Sequence, residues 1–357
     1  MSVERIMPPQ AAQTASESMN LAQWRERALH FEDSVGSVIV GHSRALRLMT
    51  IAVFARGHVL LEGDVGVGKT TLLRAVARAM GGAYERIEGT IDLMPADFIY
   101  HTYLAEDGRP RVEPGPVLRH GSELAVFFFN EINRARPQVH SLLLRLMAER
   151  SLTAFNREYA LPHLQVFADR NRLEREETFE LPAAARDRFL LEIAIEAPQD
   201  PETRRKLAFD PRFHDADALI SGVPEGIFAY QQLNDVAGKI QRDIRTSAVL
   251  ERYVLDLWQA VRYPQTAGIV IDGVDMERLV QGGASPRGVS YLLRAARVAA
   301  WLSGRLMVVP EDLREVFMEA MAHRIFLDPV YELRREALVR ELCQAVFQTV
   351  PVPADGA

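Results

Sequence analysis

The sequence is short of several things, and each shortage removes a class of answer. Its 357 residues include one cysteine, Cys343, so no disulfide can form within the chain. That fits a reducing compartment. Cys343 lies in Leu342-Cys343-Gln344-Ala345-Val346-Phe347 and is expected to pack as a small hydrophobe. No apolar run approaches the roughly 18 residues that a spanning helix needs. Residues 1–20 hold no hydrophobic stretch of signal-peptide type. A cytoplasmic location without membrane insertion is therefore expected. The nine histidines are spread out, with no pair at metal-ligand spacing. Surplus positive charge is missing too. The formal net charge is -6, which gives no support to a nucleic-acid footprint. There are no internal repeats, and no low-complexity tract beyond the N-terminal tail.

What remains is a chain of ordinary globular composition, long enough for two domains and for a sizeable core without staples. One stretch organises it. Gly63-Asp64-Val65-Gly66-Val67-Gly68-Lys69-Thr70, followed by Thr71, fits the phosphate-loop pattern G-x-x-x-x-G-K-[ST] in full. Glycines let backbone N–H groups curl inward around an anion. Lys69 would reach the β- and γ-phosphates of ATP, and the Thr70 hydroxyl would sit on Mg²⁺. The flanks agree. Val59-Leu60-Leu61 reads as a buried parallel strand. Leu73, Val76, Ala77 and Met80 share one helical face after the loop. A helix N-terminus then meets the phosphates, where its dipole favours negative charge.

Along the chain, residues 1–20 read as a flexible tail and residues 21–30 as a helix. Residues 84–88 suggest a second strand. Glu106-Asp107-Gly108-Arg109 signals a hairpin within residues 101–118. Ala125-Val126-Phe127-Phe128-Phe129 is the strongest buried-strand candidate. Asn130-Glu131 follow at its carboxyl end, where open parallel sheets bind ligands. Val139, Leu142, Leu143, Leu146 and Met147 then mark a helix face. Residues 151–160 suggest a second hairpin with Asn156-Arg157 at its tip. Residues 164–168, ending near Asn171, and residues 189–195 read as strands. The alternation stops there. Asp200-Pro201 opens a polar linker, and from about Ala216 the chain reads helical. Ser285-Pro286 marks a helix start, with Ser at the cap and Pro at the first turn.

These residues, taken in order, resemble one family. The phosphate loop, then Asn130-Glu131-Ile132-Asn133-Arg134-Ala135, then Leu181-Pro182 with Asp187-Arg188-Phe189, then Gly283-Ala284-Ser285-Pro286-Arg287, are similar to the motifs of MoxR-type AAA+ ATPases. The resemblance runs over residues 34–327. It implies an α/β fold: an αβα nucleotide-binding domain with a parallel sheet and two hairpin insertions over residues 21–200, a linker over 201–215, and an all-α lid over 216–357. It implies a ring, usually hexameric, with ATP at subunit interfaces. It also implies a client protein complex, often reached through a von Willebrand A domain protein. The namesake branch serves methanol dehydrogenase maturation, including metal insertion. By position, Glu131 matches the residue that polarises the attacking water, and Asn171 the sensor of the γ-phosphate. Arg188 matches the arginine finger, and Arg287 the second sensor, on a first turn facing the cleft. Alone, either arginine would read as a surface ion pair.

The chain departs from that pattern in three places. Asn130 stands where the family has an aspartate, which makes Thr70 and Asn130 the metal-side residues and predicts slow turnover. Asp169-Arg170 and Arg172 replace the usual neighbours of the sensor asparagine. Asp64-Val65 replace a segment that commonly holds proline. Two alternatives to an ATP-hydrolysing maturation chaperone stay open. One is a nucleotide-gated scaffold with little hydrolysis. The other is a nucleic-acid remodeller, against which the acidic balance argues.

Overall fold

A computed structural model describes residues 20–171 and 179–353. The tail expected over residues 1–20 lies outside it apart from Asn20, as does Arg172. Asn20 is not tail. It caps helix α1 (Leu21–Gly36) in a reciprocal box: Asn20 Oδ1 accepts from the Gln23 N–H at 2.9 Å and Gln23 Oε1 accepts from the Asn20 N–H at 3.0 Å. The helix continues past residue 30 because Phe31 and Val35 extend the buried face begun by Trp24 and Ala28.

Next come α2 (Ser43–Phe54), β1 (His58–Glu62), α3 (Lys69–Met80), β2 (Ala83–Glu88), β3 (Tyr100–Leu104), β4 (Pro110–Pro114), β5 (Leu124–Asn130), α4 (Pro137–Glu149), β6 (Ser151–Ala154), β7 (Arg157–Ala160), β8 (Gln165–Arg170), α5 (Ala183–Arg186) and β9 (Phe189–Ala194). A five-stranded sheet has the order β2-β5-β8-β1-β9, and every pairing in it is parallel. The inner strand β5 and residues 59–61 of β1 are apolar without alternation because both faces are covered. Along β5, Val126 and Phe128 join one core cluster while Phe127 and Phe129 join another on the opposite face. The α3 face predicted from spacing is buried, and Leu72 and Ala75 are buried with it.

Both expected hairpins form, β3 with β4 and β6 with β7. The tip of the second is Phe155-Asn156, not Asn156-Arg157. Both tip residues are left-handed, with φ of 50° and 57°, as a two-residue hairpin turn requires, and Arg157 already belongs to β7.

The stretch expected as a linker, residues 201–215, is largely ordered helix. Asp200 caps α6 (Pro201–Phe209), accepting from the Thr203 N–H at 2.8 Å, with Pro201 in the first turn. Beyond it lie α7 (Ala216–Ser221), α8 (Leu233–Asp243), α9 (Ala248–Arg262), α10 (Met276–Leu279), β10 (Val280–Gly282), α11 (Pro286–Leu302), α12 (Pro310–Met321), β11 (Phe326–Leu327) and α13 (Arg335–Thr349). This half is helical apart from the short β10–β11 pair. It does not stand apart from the first half. Phe54 packs on Trp301 at 5.1 Å and on Phe228 at 5.3 Å between centroids, with Trp24 beside them. Each such buried aromatic stabilises by about 1.5–3 kcal/mol. Cys343 is 2% exposed on α13, and burial pushes its thiol pKa up to about 12.

Candidate functional site

The carboxyl ends of β1, β5 and β8 converge on one group of side chains. Gly63 leaves β1 so close to the next strand that a Cβ there would lie 2.3 Å from the Ile195 carbonyl oxygen. Only glycine fits. Gly66 and Gly68 take φ of 80° and 91°, the left-handed conformation that lets the loop curl onto the N-terminus of α3. Asp64, Val65 and Gly66 are exposed, Val67, Gly68, Thr70 and Thr71 half-buried, and Gly63 and Lys69 buried. The Lys69 ammonium donates to the carbonyls of Gly63 (2.6 Å) and Asp64 (3.0 Å) and to Asn171 Oδ1 (2.7 Å). Asn171 Nδ2 in turn donates to Glu131 Oε1 at 3.2 Å. Three expected site residues, from three separate strand ends, are thus joined in one chain of hydrogen bonds.

Glu131 itself is left-handed, with φ 51° and ψ 51°, so its side chain turns back over the sheet end. Its other oxygen pairs with Arg134 at 3.0 Å. The loop after β2 crosses so near that a Cβ on Gly89 would lie 2.1 Å from the Glu131 carbonyl oxygen. Asn130 is buried, and its amide donates to Glu88 Oε1 on the neighbouring strand β2. That turns the group expected at the metal toward the sheet edge.

Sequence reasoning passed over Asp169 except as a departure from pattern. It is 2% exposed, its Oδ1 accepts from the Glu131 N–H at 2.6 Å, and its Oδ2 lies 3.9 Å from the Lys69 ammonium. Burial pushes its carboxyl up to about 6, with Glu131 and Glu88 adding repulsion, against the Glu131 N–H bond and the Lys69 charge. The signal was present. Strand alternation puts Asp169 on the same face as Asn171, two residues on.

The two remaining arginines are elsewhere. Arg188 and Arg287 stand at the amino end of β9, where Phe189 pairs with His58 at the start of β1. That is a strand's length from the loop, roughly 17 Å at 3.3 Å per residue. Arg287 does not face the cleft of its own chain, as the helix start suggested. Its guanidinium pairs with Asp187 at 3.2 Å. The physical reason is the seat of the helical half. Buried Arg324 donates to Asp187 Oδ1 (2.9 Å), to the Asp187 carbonyl (3.0 Å) and to the Phe189 carbonyl (2.6 Å). Ser285, instead of closing the cap of α11 with its hydroxyl, bonds Asp187 Oδ2 at 3.3 Å. Among the described residues, the Arg188 side chain forms no hydrogen bond or ion pair.

A cleft of about 780 Å³ opens beside Asn171 and Glu62, walled on its far side by Met318 of α12 and Val339 of α13. Among the described residues no group of three or more His, Cys, Asp or Glu is placed to hold a metal ion, and no helix is long and apolar enough to cross a membrane. The residues present do fit a polyphosphate carrying Mg²⁺. There are a buried ammonium, two left-handed glycines at a helix N-terminus and a nearby threonine, and Mg²⁺ ordinarily keeps several waters.

A glycine loop between a buried parallel strand and a helix, with a helical half packed behind it, defines a phosphate-loop nucleotide-binding module with a lid. Comparison with known proteins carries this further. Residues 58–191 match the family described as ATPase family associated with various cellular activities (AAA), and residues 275–342 match the AAA lid domain. The chain is 66% identical to Protein MoxR of Methylorubrum extorquens, over 93% of this chain and 97% of that one. It is 61% identical to Protein MoxR of Paracoccus denitrificans, over 94% and 99%. It is 33% identical to Chaperone MoxR1 of Mycobacterium tuberculosis, over 92% and 82%. A solved structure of a candidate ATPase from Cytophaga hutchinsonii superposes with a TM-score of 0.77 at 28% identity, covering 94% of this chain and 99% of that one. The chain belongs to the MoxR family of AAA+ ATPases.

Proposed function

We propose that this chain binds ATP with Mg²⁺ on residues 63–71 and hydrolyses it, as one subunit of a ring that matures or activates a partner protein complex. The observation that carries the reading is the hydrogen-bonded series Lys69–Asn171–Glu131 at the carboxyl end of the sheet. Lys69 and the loop N–H groups hold the β- and γ-phosphates. Thr70 lies on the metal side, while the Asn130 amide is engaged by Glu88. Glu131 accepts a proton from the attacking water, and Asn171 holds that carboxylate and the γ-phosphate in register. Bound Mg²⁺ supplies neutralisation of the charge that develops on the phosphate oxygens.

Arg188 and Arg287, a strand's length from their own loop, serve the nucleotide of the neighbouring subunit. This is why a ring, hexameric by resemblance, is part of the proposal. The helical residues 216–357 then act as a lid that also carries an interface arginine, with residues 201–215 bridging it to residues 21–200. By the resemblance to the namesake branch, the client process is maturation of methanol dehydrogenase, including its metal insertion. A von Willebrand A domain protein would be the intermediary, a cytoplasmic location the setting, and nucleic acid no partner. The scaffold reading rests on Asn130 alone and is the weaker, since the Glu131 carboxylate is in place. Lys69→Ala should abolish ATP binding in an equilibrium titration. Undiminished binding by that variant would sink the site.

A further inference from the structure

The site described above lacks a carboxylate at position 130, yet a carboxylate lies one strand over. The register Phe129↔Ala168 places Asn130 beside Asp169, and the register Leu61↔Asp169 places the same residue beside the end of β1 that leads into the phosphate loop. Asp169 therefore sits between the two strands whose exits build the site. We infer that Asp169 supplies the fixed negative charge that position 130 lacks and thereby sets the Mg²⁺ requirement for nucleotide binding. This rests on the reading of residues 63–71 as a nucleotide site.

The other carboxylates nearby have different engagements. Glu88 is half-exposed, is paired with Arg86 at 2.7 Å and takes the Asn130 amide. Glu131 is held by Arg134 and Asn171. Asp169 directs one oxygen to the Glu131 N–H and keeps the other 3.9 Å from the Lys69 ammonium, beyond hydrogen-bond distance. A 2%-exposed carboxylate is little screened by solvent, so its field reaches the phosphate side of the site. It acts on a hydrated cation through the cation's waters, the way outer-shell groups tune metal affinity. Its Oδ1 also fixes the left-handed backbone of Glu131. Asp169 is thus a positioning residue with two separable effects, one from charge and one from the acceptor oxygen.

Asparagine separates them, because it keeps the acceptor toward Glu131 and removes the charge. Binding of the fluorescent analogue mant-ATP to the full chain, titrated with Mg²⁺, tests the inference. Asp169→Asn should raise the Mg²⁺ concentration for half-maximal binding by about tenfold, as expected for loss of one charge near a cation, and should not weaken binding measured in EDTA. The double variant Asn130→Asp with Asp169→Asn should return the requirement to within about threefold of the parent, because the charge is moved back by one strand rather than lost. A requirement for Asp169→Asn within about twofold of the parent, or a double variant no better than the single one, overturns the inference while leaving the nucleotide site intact. A parent chain that binds no mant-ATP at any Mg²⁺ concentration overturns the site itself and the inference with it.

Discussion

Arg56, just before β1, and Lys69, seven residues past its end, are both buried cations on one sheet, and their surroundings differ. Arg56 is 3% exposed. Its guanidinium donates to Asn234 Oδ1 (2.9 Å), Gln165 Oε1 (3.1 Å) and the His163 carbonyl (2.6 Å), and Arg150 donates to its carbonyl at 2.9 Å. No carboxylate is among these partners. Burial, then Arg150 and Arg294, lower its pKa to about 9. Beside it, His58 accepts from the Val166 N–H on Nδ1 and donates from Nε2 to the Met147 carbonyl, which fixes one neutral tautomer. At this amino end, neutral acceptors fixed by the fold match the donors, so the network closes on itself. At the carboxyl end, Lys69 faces loop carbonyls that phosphate oxygens can replace, with Glu88, Glu131 and Asp169 close by. A buried charge is therefore no mark of a ligand site by itself. The mark is charge of both signs gathered where the backbone leaves room.

The contrast breaks or sharpens under four tests. The largest effect is on rate. Arg188→Ala at the amino end of β9 should lower ATP turnover about 10³-fold or more while changing ATP affinity only a few-fold. Mixing it with Glu131→Gln subunits should restore part of the activity, because each supplies what the other lacks across an interface. Absence of recovery at every mixing ratio would count against a role in the neighbouring site.

Arg56→Met should leave nucleotide affinity unchanged and lower the urea-unfolding free energy by about 2–4 kcal/mol, since it strands buried acceptors. A loss below about 0.5 kcal/mol would mean that the closed network is dispensable.

Next in size is a pair of pH effects of opposite sign. Burial holds folded His58 at about 3, far below 6.5, so the stability it supports is complete above pH 6.5 and drains away as pH falls, by about 1.4 kcal/mol per unit. Folded Asp169, raised from 3.8 to about 6, takes up its proton early on acidification, so its contribution favours folding at low pH and is lost as pH rises from 3.8 to 6. Unfolding free energies between pH 4 and 6.5 should therefore become less acid-sensitive in His58→Gln and more acid-sensitive in Asp169→Asn. Shifts of the same sign would remove the contrast. The smallest effect belongs to Val65, 72% exposed in the loop itself. Val65→Ala should move ATP affinity by less than about twofold, measurable in the same titration, because surface substitutions away from such networks are nearly neutral.

Local strings were readable and distant meetings were not. The phosphate loop is legible because its chemistry forces a contiguous pattern, and β5 because a strand covered on both faces has no polar residues to interrupt it. Asp200-Pro201 carries the same signal as Ser285-Pro286, a capping side chain before a first-turn proline, and the polar composition after it concealed a helix. The convergence of Ser285, Arg287 and Arg324 on Asp187 spans 98 to 137 residues of sequence, and no periodicity encodes it. The turn of Asn130 toward Glu88 likewise depends on β2 lying beside β5, a neighbour relation that no local window contains.

Cys343 ends with a use beyond packing. It is the chain's single thiol, sealed on α13 in the helical half. With its pKa near 12, it reacts with a thiol reagent only while that helix is displaced and the sulfur meets water. The chain therefore carries a built-in stopwatch, with no engineered label, on how often its helical half opens. A nucleotide or partner that holds that half shut slows the stopwatch in proportion.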